Sequence, residues 1–363
     1  MKQIDRNALE RTVLQSAAVK AALGWTGVLA VLVSYGTLAA TGPIAGAACE
    51  SPPPLHCPDA NCPGDLIANL GNATDAKTGR KFFLDYPCDL KPGEKVTFVL
   101  NLHGGGSIGN WQRHYFPVMD LKDKYRLVVA TPSGVVRAWD PKNDDEHLQN
   151  IVDLVYEQFG ARNIKAFWLA GHSQGGQTSN RLLLTEPYKR KLTGWVSLSG
   201  GRLGSKRAEV RAAIPGSPPP PAPTAPAAGT TPRGDPALVA DASLLPDYNF
   251  SHIYETGEHE LTAAGMPDNS KWAQQLKCKP REQRADVVDT KAGYVNDSRE
   301  QKNPNAIWGL KARPGTAEVF VYPGCEKGRV VADIIRKDKG HTEGLEPNVT
   351  EQIVKLMLSV RNP

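Results

Sequence analysis

The fold of this 363-residue chain is decided by one short stretch, Gly171-His172-Ser173-Gln174-Gly175-Gly176. The apolar run Ile164–Ala170 precedes it and predicts a buried strand, while Arg181–Leu184 continues after it at helical spacing. A serine on a sharp turn between a strand and a helix projects its hydroxyl away from the backbone, as a nucleophile requires. The flanking glycines suit such a turn, because a strained and tightly packed backbone leaves little room for a Cβ. Ser173 is therefore the candidate nucleophile.

A second glycine-rich loop follows the β-branched apolar run Val96–Leu100 and has the sequence Leu102-His103-Gly104-Gly105-Gly106. Backbone N–H groups of such a loop, with the N–H of the residue after the serine, can bind a developing oxyanion. This assigns an oxyanion role to Gly104 or Gly105, and to Gln174. A phosphate-binding P-loop is excluded, because no Gly-Lys-Ser or Gly-Lys-Thr follows.

One of the eight histidines lies where a general base is needed. His341 follows the strand candidate Arg329–Ile335 and precedes Pro347–Val360, which has the apolar periodicity of a closing helix. A histidine in a loop between the last strand and the last helix can reach a serine at the edge of the sheet. We expect His103 and His172 to shape their loops instead.

An acidic segment follows the strand candidate Phe250–Tyr254 and supplies the third group of a triad. A carboxylate there would orient the imidazole of His341 and stabilise its charged form. Glu258 and Glu260 both qualify, and Asp333 is a more remote alternative. A metal site at Glu258-His259-Glu260 is disfavoured, because a second histidine at i+4 is missing.

Strand candidates alternate with helical stretches, which predicts an α/β fold with a mostly parallel central sheet and helices on both faces. A helix over Glu146–Phe159 has one apolar face, with Asp144 or Asp145 as its N-cap and Gly160 at its end. The predicted strands are Lys81–Tyr86, Val96–Leu102, Leu127–Thr131, Ile164–Ala170, Gly194–Ser199, Ser251–Tyr254, Ala317–Tyr322 and Arg329–Ile335.

From about Arg80 to Leu358, the chain resembles the α/β-hydrolases of the polyhydroxybutyrate depolymerase and feruloyl or acetylxylan esterase group. The resemblance implies the α/β-hydrolase fold and a Ser-His-acid triad. Matching motifs, besides the two glycine-rich stretches, are Phe83-Leu84-Asp85-Tyr86-Pro87, Trp139-Asp140 with Asp144-Asp145, Trp272–Cys278, Tyr322-Pro323-Gly324-Cys325 and Lys339-Gly340-His341.

The resemblance also implies a Cys278–Cys325 disulfide and favours Glu260 as the acid. Such sequences usually have Gly-x-x-Asp after the seventh strand, and the same spacing here ends at Glu260. This glutamate is one departure from the pattern. Thr342-Glu343 in place of the usual Trp-Pro, and a proline-rich insertion, are two others, and they leave the substrate open.

The composition allows a sizeable core, with 40% hydrophobic residues, and a single catalytic domain over residues 80–363. Nine prolines lie within 215–236, so we expect an insertion without a packed core that is a surface excursion or a lid. The net charge of +5 is spread among charges of both signs, and no basic stretch carries interleaved aromatics. Nucleic-acid binding is therefore not expected.

The first 48 residues are a predicted targeting segment, because a basic start precedes an uncharged apolar stretch and Ala45-Gly46-Ala47 resembles a cleavage site. A cleaved signal peptide predicts a secreted or periplasmic protein; an uncleaved anchor would place it at a membrane, and a lipoprotein is the weakest alternative. Residues 49–79 form a predicted Cys/Pro-rich extension. We expect four cysteines to form disulfides among themselves, with a zinc site as the alternative. They are Cys49, Cys57 and Cys62 of this extension, and Cys88 just after it.

The sequence thus predicts an exported serine esterase that needs no cofactor and acts on a small or polymeric ester. The alternatives are a serine peptidase on the same fold and a non-catalytic polysaccharide-binding module. Trp111 and Trp139 lie near the oxyanion loop and the fourth strand, where they could form an aromatic or sugar subsite or pack in the core.

Overall fold

The computed structural model describes residues 47–49, 71–205, 244–295 and 313–360. The predicted targeting segment up to residue 46, Cys57, Cys62 and the insertion at 215–236 lie outside these ranges. Within them, no helix is long and apolar enough to cross a bilayer.

A central sheet contains the strands of the described residues in the order β1-β2-β4-β3-β5-β6-β7-β11-β10-β8, and β9 pairs with β10. The six strands from β4 to β11 in this order run parallel, whereas β2 and β10 are antiparallel to their neighbours. The strands are β1 (Ala73–Thr74), β2 (Lys81–Asp85), β3 (Val96–Leu102), β4 (Leu127–Pro132), β5 (Ile164–His172), β6 (Gly194–Leu198), β7 (Ser251–Gly257), β8 (Glu282–Gln283), β9 (Val287–Val288), β10 (Thr316–Val321) and β11 (Val331–Arg336).

Helices cover both faces of this sheet. Successive residues of a strand point to opposite faces, so each strand contributes apolar side chains to two cores. In β3, Phe98 and Leu100 pack in the core under α3, while Val99 packs in the core under α1 and α7. The helices are α1 (Gly109–Tyr115), α2 (Lys122–Tyr125), α3 (Pro141–Phe159), α4 (Gln174–Leu182), α5 (Glu186–Lys189), α6 (Lys271–Gln275) and α7 (Pro347–Leu358).

The start of α3 differs from its prediction. The helix begins at Pro141, five residues before Glu146, and its N-cap is Asp140, whose side chain accepts from the Lys142 N–H at 3.1 Å. Proline is favoured at the first helical position because its φ is already helical. Asp144, one of the two predicted caps, is buried and pairs with Arg80 at 2.8 Å. Gly160 ends the helix as predicted.

The sheet also begins earlier than predicted. Ala73 pairs with Phe82, so β1 lies inside the stretch predicted to be an irregular extension. Its two residues are too few for a periodic pattern to be visible in the sequence.

Two disulfides tie peripheral segments to the core. Cys278 and Cys325 are bonded, which is the pair implied by the family resemblance. Cys49 is bonded to Cys88, which removes both from a four-cysteine zinc site. This second bond fastens the segment before the sheet to the loop after β2.

The strand order and the antiparallel β2 are those of the α/β-hydrolase fold, and the predicted fold class is confirmed. In parallel sheets of this kind, functional side chains gather beyond the carboxyl ends of the strands. Ser173 directly follows β5, Glu260 follows β7, and His341 follows β11. The three candidate residues therefore leave the sheet at the same edge.

Candidate active site

Ser173 lies on a strained turn between β5 and α4. Its φ of 51° and ψ of −115° are unusual for any residue with a Cβ. The neighbouring glycines are required by close backbone contact: a Cβ on Gly171 would lie 2.3 Å from the carbonyl of Gly175. A Cβ on Gly175 would lie 2.3 Å from the carbonyl oxygen of Leu102. The start of α4 is thus pressed against the end of β3, and Ser173 lies on the turn immediately before it.

The loop after β3 lies directly beside the serine. A Cβ on Gly104 would be 3.3 Å from Cβ of Ser173 and 2.7 Å from Nδ1 of His172, so only glycine fits there. Among the described residues, the N–H groups of Gly104, Gly105 and Gln174 donate no hydrogen bond. All three predicted oxyanion residues therefore have an N–H group that is free to donate, and Gly104 lies directly beside Ser173.

His103 holds this loop in place. Its Nδ1–H donates to the carbonyl of Gly104 at 2.7 Å, and its Nε2 accepts from the N–H of Gly134 at 2.9 Å. These bonds require the neutral ring, and burial lowers the pKa of His103 to about 4. Trp139 is buried and donates from Nε1 to the carbonyl of His103 at 2.7 Å, so it supports the loop and packs in the core.

Glu260 lies against His341, as the Gly-x-x-acid spacing predicts. Its Oε2 accepts a hydrogen bond of 2.6 Å from Nδ1 of His341. Its Oε1 accepts from the hydroxyl of Ser199 at 2.5 Å, from Thr256 at 3.2 Å and from the N–H of Gly257 at 3.2 Å. Three donors thus hold Oε1, and Oε2 faces the imidazole of His341.

These contacts decide the charge of Glu260. Burial alone would raise its pKa, but the charge of His341 and the hydrogen bonds from His341, Ser199 and Gly257 outweigh burial and lower the pKa to about 2. Glu260 is therefore ionised throughout the neutral range. An ionised carboxylate on Nδ1 leaves Nε2 of His341 as the nitrogen that can accept a proton.

The alternative acids lie elsewhere. Glu258 forms an ion pair with Lys337 and accepts from the N–H of Asp338 at 2.9 Å. Asp333 is buried in β11 and pairs with Arg202 at 2.7 Å. Neither carboxylate contacts the imidazole of the candidate base.

The metal interpretation of the acidic segment is also not supported. Nε2 of His259 lies 2.8 Å from Asp338, so this ring turns away from Glu260. In the described ranges, no group of three or more His, Cys, Asp or Glu side chains is arranged to hold a metal ion.

His172 and Tyr115 anchor the loop that carries His341, a role that sequence reasoning missed. Nε2–H of His172 donates to the carbonyl of His341 at 2.7 Å, and the hydroxyl of Tyr115 donates to the same oxygen at 3.3 Å. The two imidazole rings are 4.7 Å apart. Burial, and then the charge of His341, lower the pKa of His172 well below its usual value, so it stays a neutral donor. Trp111 stacks on Tyr115 and lines the same region.

A buried charge network fixes both sides of the His341 loop. Lys339 pairs with Glu343 at 2.6 Å and with Glu346 at 2.8 Å, and all three are 1% exposed. Arg336 pairs with Glu255 at 2.7 Å and donates to the carbonyl of Glu343 at 2.7 Å. The loop is therefore tied to both β7 and α7.

Among the described residues, His341 is hydrogen-bonded to Glu260, but no hydrogen bond joins the imidazole of His341 to the hydroxyl of Ser173. The serine follows His172 in the chain, and the ring of His172 packs against that of His341. Such bonds often form only when substrate is present.

No protein-family model matches the chain, and no curated protein matches it. Among solved structures, it is similar to an acetyl xylan esterase from Aspergillus awamori, at 10% identity over 77% of this chain and 93% of that one, with a TM-score of 0.42. It is also similar to the serine hydrolase FphF of Staphylococcus aureus, at 18% identity over 33% of this chain and 52% of that one, with a TM-score of 0.28. A third similar structure is esterase 2 of Thermogutta terrifontis, at 13% identity over 48% of this chain and 65% of that one, with a TM-score of 0.33. The chain spans about half the length of FphF and under two thirds of that esterase.

Proposed function

We propose that this protein is a serine hydrolase that cleaves carboxylic esters, with Ser173 as nucleophile, His341 as base and Glu260 as acid. The observation that carries the proposal is the 2.6 Å contact between Glu260 and His341 at the edge of the sheet where the strained Ser173 lies. The chain order of serine, acid and base, which is Ser173, Glu260 and His341, matches the hydrolase pattern.

In the proposed reaction, Oγ of Ser173 attacks the ester carbonyl while Nε2 of His341 takes its proton. The carbonyl oxygen becomes an oxyanion, which the free amides of Gln174 and of Gly104 or Gly105 stabilise. Collapse of the intermediate breaks the bond to the alcohol, and His341 returns the proton to that leaving oxygen. Water, deprotonated by the same imidazole, then attacks the acyl-serine and releases the acid. No cofactor takes part.

The surroundings of the two ionisable groups suit this sequence of proton transfers. Glu260 remains a carboxylate, so it can stabilise the imidazolium of His341 without taking the proton. His172 remains neutral beside that imidazolium, because a second positive charge in the buried site would be unfavourable.

We propose polyester or feruloyl- and acetyl-polysaccharide esters as the substrate class, on the basis of the motif resemblance described above. Export is proposed from the uncharged N-terminal stretch, and the Cys49–Cys88 and Cys278–Cys325 disulfides are typical of oxidising compartments.

The test is hydrolysis by the mature chain of p-nitrophenyl esters of increasing acyl length, together with feruloyl esters and a peptide amide. We expect ester turnover to be abolished in Ser173→Ala and retained in the exposed control Ser359→Ala. Turnover of the amide in preference to all esters would favour the peptidase alternative. Folded protein without turnover of any of these compounds would contradict the proposal.

A further inference from the structure

A cavity lies at the other end of the sheet from Ser173. Its volume is about 1090 Å³, and it is lined by the end of β10, the hairpin that follows it and the start of β11. His341 leaves the opposite end of β11, so this cavity is separate from the candidate active site. The lining includes three cationic and three apolar residues: Arg284, Lys327 and Arg329, and Pro323, Val330 and Leu356.

Arg329 is the unusual group in this cavity. Its Nε is buried and has no hydrogen-bond partner, and no ion pair involves its guanidinium among the described residues. Burial lowers its pKa, and no neighbouring carboxylate opposes that shift. A partly buried charge without a partner is costly, and most such groups in proteins are paired. The position is therefore explained if the missing partner is a ligand.

The other charges around Arg329 have the same sign. Lys327 is exposed and forms no ion pair within the described ranges, and Arg284 pairs only with Glu282 at 3.1 Å. Both members of that pair are about half exposed, so the pair neutralises the region weakly. None of the described lining residues is an aspartate or glutamate. A concave surface with one sign of charge concentrates ions of the opposite sign.

The hairpin that carries Arg329 is held in position. The Cys278–Cys325 disulfide fixes its tip, and the N–H of Lys279 donates to the carbonyl of Pro323 at 2.7 Å. A site whose backbone is already fixed loses little conformational entropy when a ligand binds.

We propose that this cavity is a binding site for an organic anion, in which a carboxylate pairs with the guanidinium of Arg329 and an apolar body packs on Pro323, Val330 and Leu356. The planar guanidinium can donate two parallel hydrogen bonds to a carboxylate. The cavity is far larger than a single inorganic ion requires and matches the size of small-molecule sites. The site is independent of ester hydrolysis.

Binding of 4-fluorobenzoate to the full chain, followed by fluorine NMR, tests this proposal. We expect a Kd on the order of 1 mM that weakens with added salt. Arg329→Gln should weaken binding about 10-fold or more, because a charged hydrogen-bonding partner is lost. The matched control Arg190→Gln removes an exposed arginine outside the cavity and should leave binding unchanged.

A further variant and two further ligands test the chemistry that the cavity recognises. Arg329→Lys keeps the charge without the planar donor pair and should bind at an intermediate level. Neutral 4-fluorobenzamide should bind weakly, and inorganic phosphate should compete weakly because it lacks the apolar body. Ester hydrolysis should be equal in all these variants, so a failure here leaves the proposed function untouched. Equal binding of 4-fluorobenzoate to the wild type and to Arg329→Gln, or equal affinity for the benzamide or phosphate, would overturn the proposal.

Discussion

Nε2 of His172 donates a 2.7 Å hydrogen bond to the carbonyl oxygen of His341. The residue before the candidate nucleophile therefore holds the loop of the candidate base, although the two are 169 residues apart in the chain. The same ring leaves room only for glycine at position 104 of the oxyanion loop. One neutral side chain thus touches all three parts of the candidate site.

Replacement of His172 should damage the reaction more than the fold. His172→Phe keeps an aromatic ring but removes the donor to His341, and we expect kcat to fall about 10- to 100-fold with KM little changed. His172→Gln restores a donor of similar length and should recover part of kcat. Equal losses in both variants, or a loss explained by the fraction of unfolded protein, would show that the ring serves packing alone.

The acid of the triad is tested by a matched pair of variants. Glu260→Gln should lower kcat by up to about 10⁴, because the neutral amide no longer fixes the correct tautomer of His341. Glu258→Gln removes a carboxylate of the same loop that pairs with Lys337, and its effect on kcat should be small. Steady-state kinetics on one ester measures both. A larger loss in Glu258→Gln would refute the assignment.

The low pKa of Glu260 predicts how stability depends on pH. The pKa falls from 4.5 to about 2 on folding, so the stabilisation is complete above about pH 4.5 and is lost as the pH falls towards 2. Because Glu260→Gln cannot titrate, its deficit in unfolding free energy relative to the wild type should shrink by on the order of 2 kcal/mol between about pH 6 and pH 3. Urea unfolding between about pH 6 and pH 3 measures the change. A constant deficit would contradict the contacts of Glu260 described above.

The buried network under His341 should be sensitive to the loss of one charge. Lys339→Met removes the cation closest to Glu343 and Glu346, which keep only the longer contacts to Arg313 and Arg336 at 3.3 and 3.4 Å. We expect unfolding free energy to fall by about 3–5 kcal/mol. Lys337→Met is the control, because its pair with Glu258 is 41% exposed on both sides and should contribute about 1 kcal/mol or less. Similar losses of unfolding free energy in both variants would contradict a larger contribution from the buried network than from the exposed pair.

Local sequence patterns were sufficient for the parts of the structure that depend on neighbouring residues. Apolar periodicity located β3 within its observed bounds, and glycine spacing located the turn at Ser173. Chain order left Glu258 and Glu260 both open as the acid, and the Gly-x-x-acid spacing of the family resemblance then favoured Glu260. The pattern did not reveal the N-cap Asp140, because three other acids follow it within six residues.

Contacts between distant segments were not visible in the sequence. Tyr115 and His341 are 226 residues apart, and Ser199 reaches Glu260 only because β6 and β7 are adjacent. Lys339 has the appearance of a surface charge in the sequence but is 1% exposed. Its charged partners Glu343 and Glu346 lie in the same loop, but the sequence does not show that the loop folds back so that all three side chains are buried together.

The central claim is that Ser173 is the nucleophile, and covalent labelling tests it most directly. The full chain is treated with a fluorophosphonate, and intact-mass and peptide mass spectrometry locate the adduct. We predict one adduct per chain, on Ser173, with no adduct in Ser173→Ala and slower labelling in His341→Ala, since the base activates the hydroxyl. Absence of an adduct on folded wild-type protein, or an adduct of equal yield in Ser173→Ala, would contradict the account.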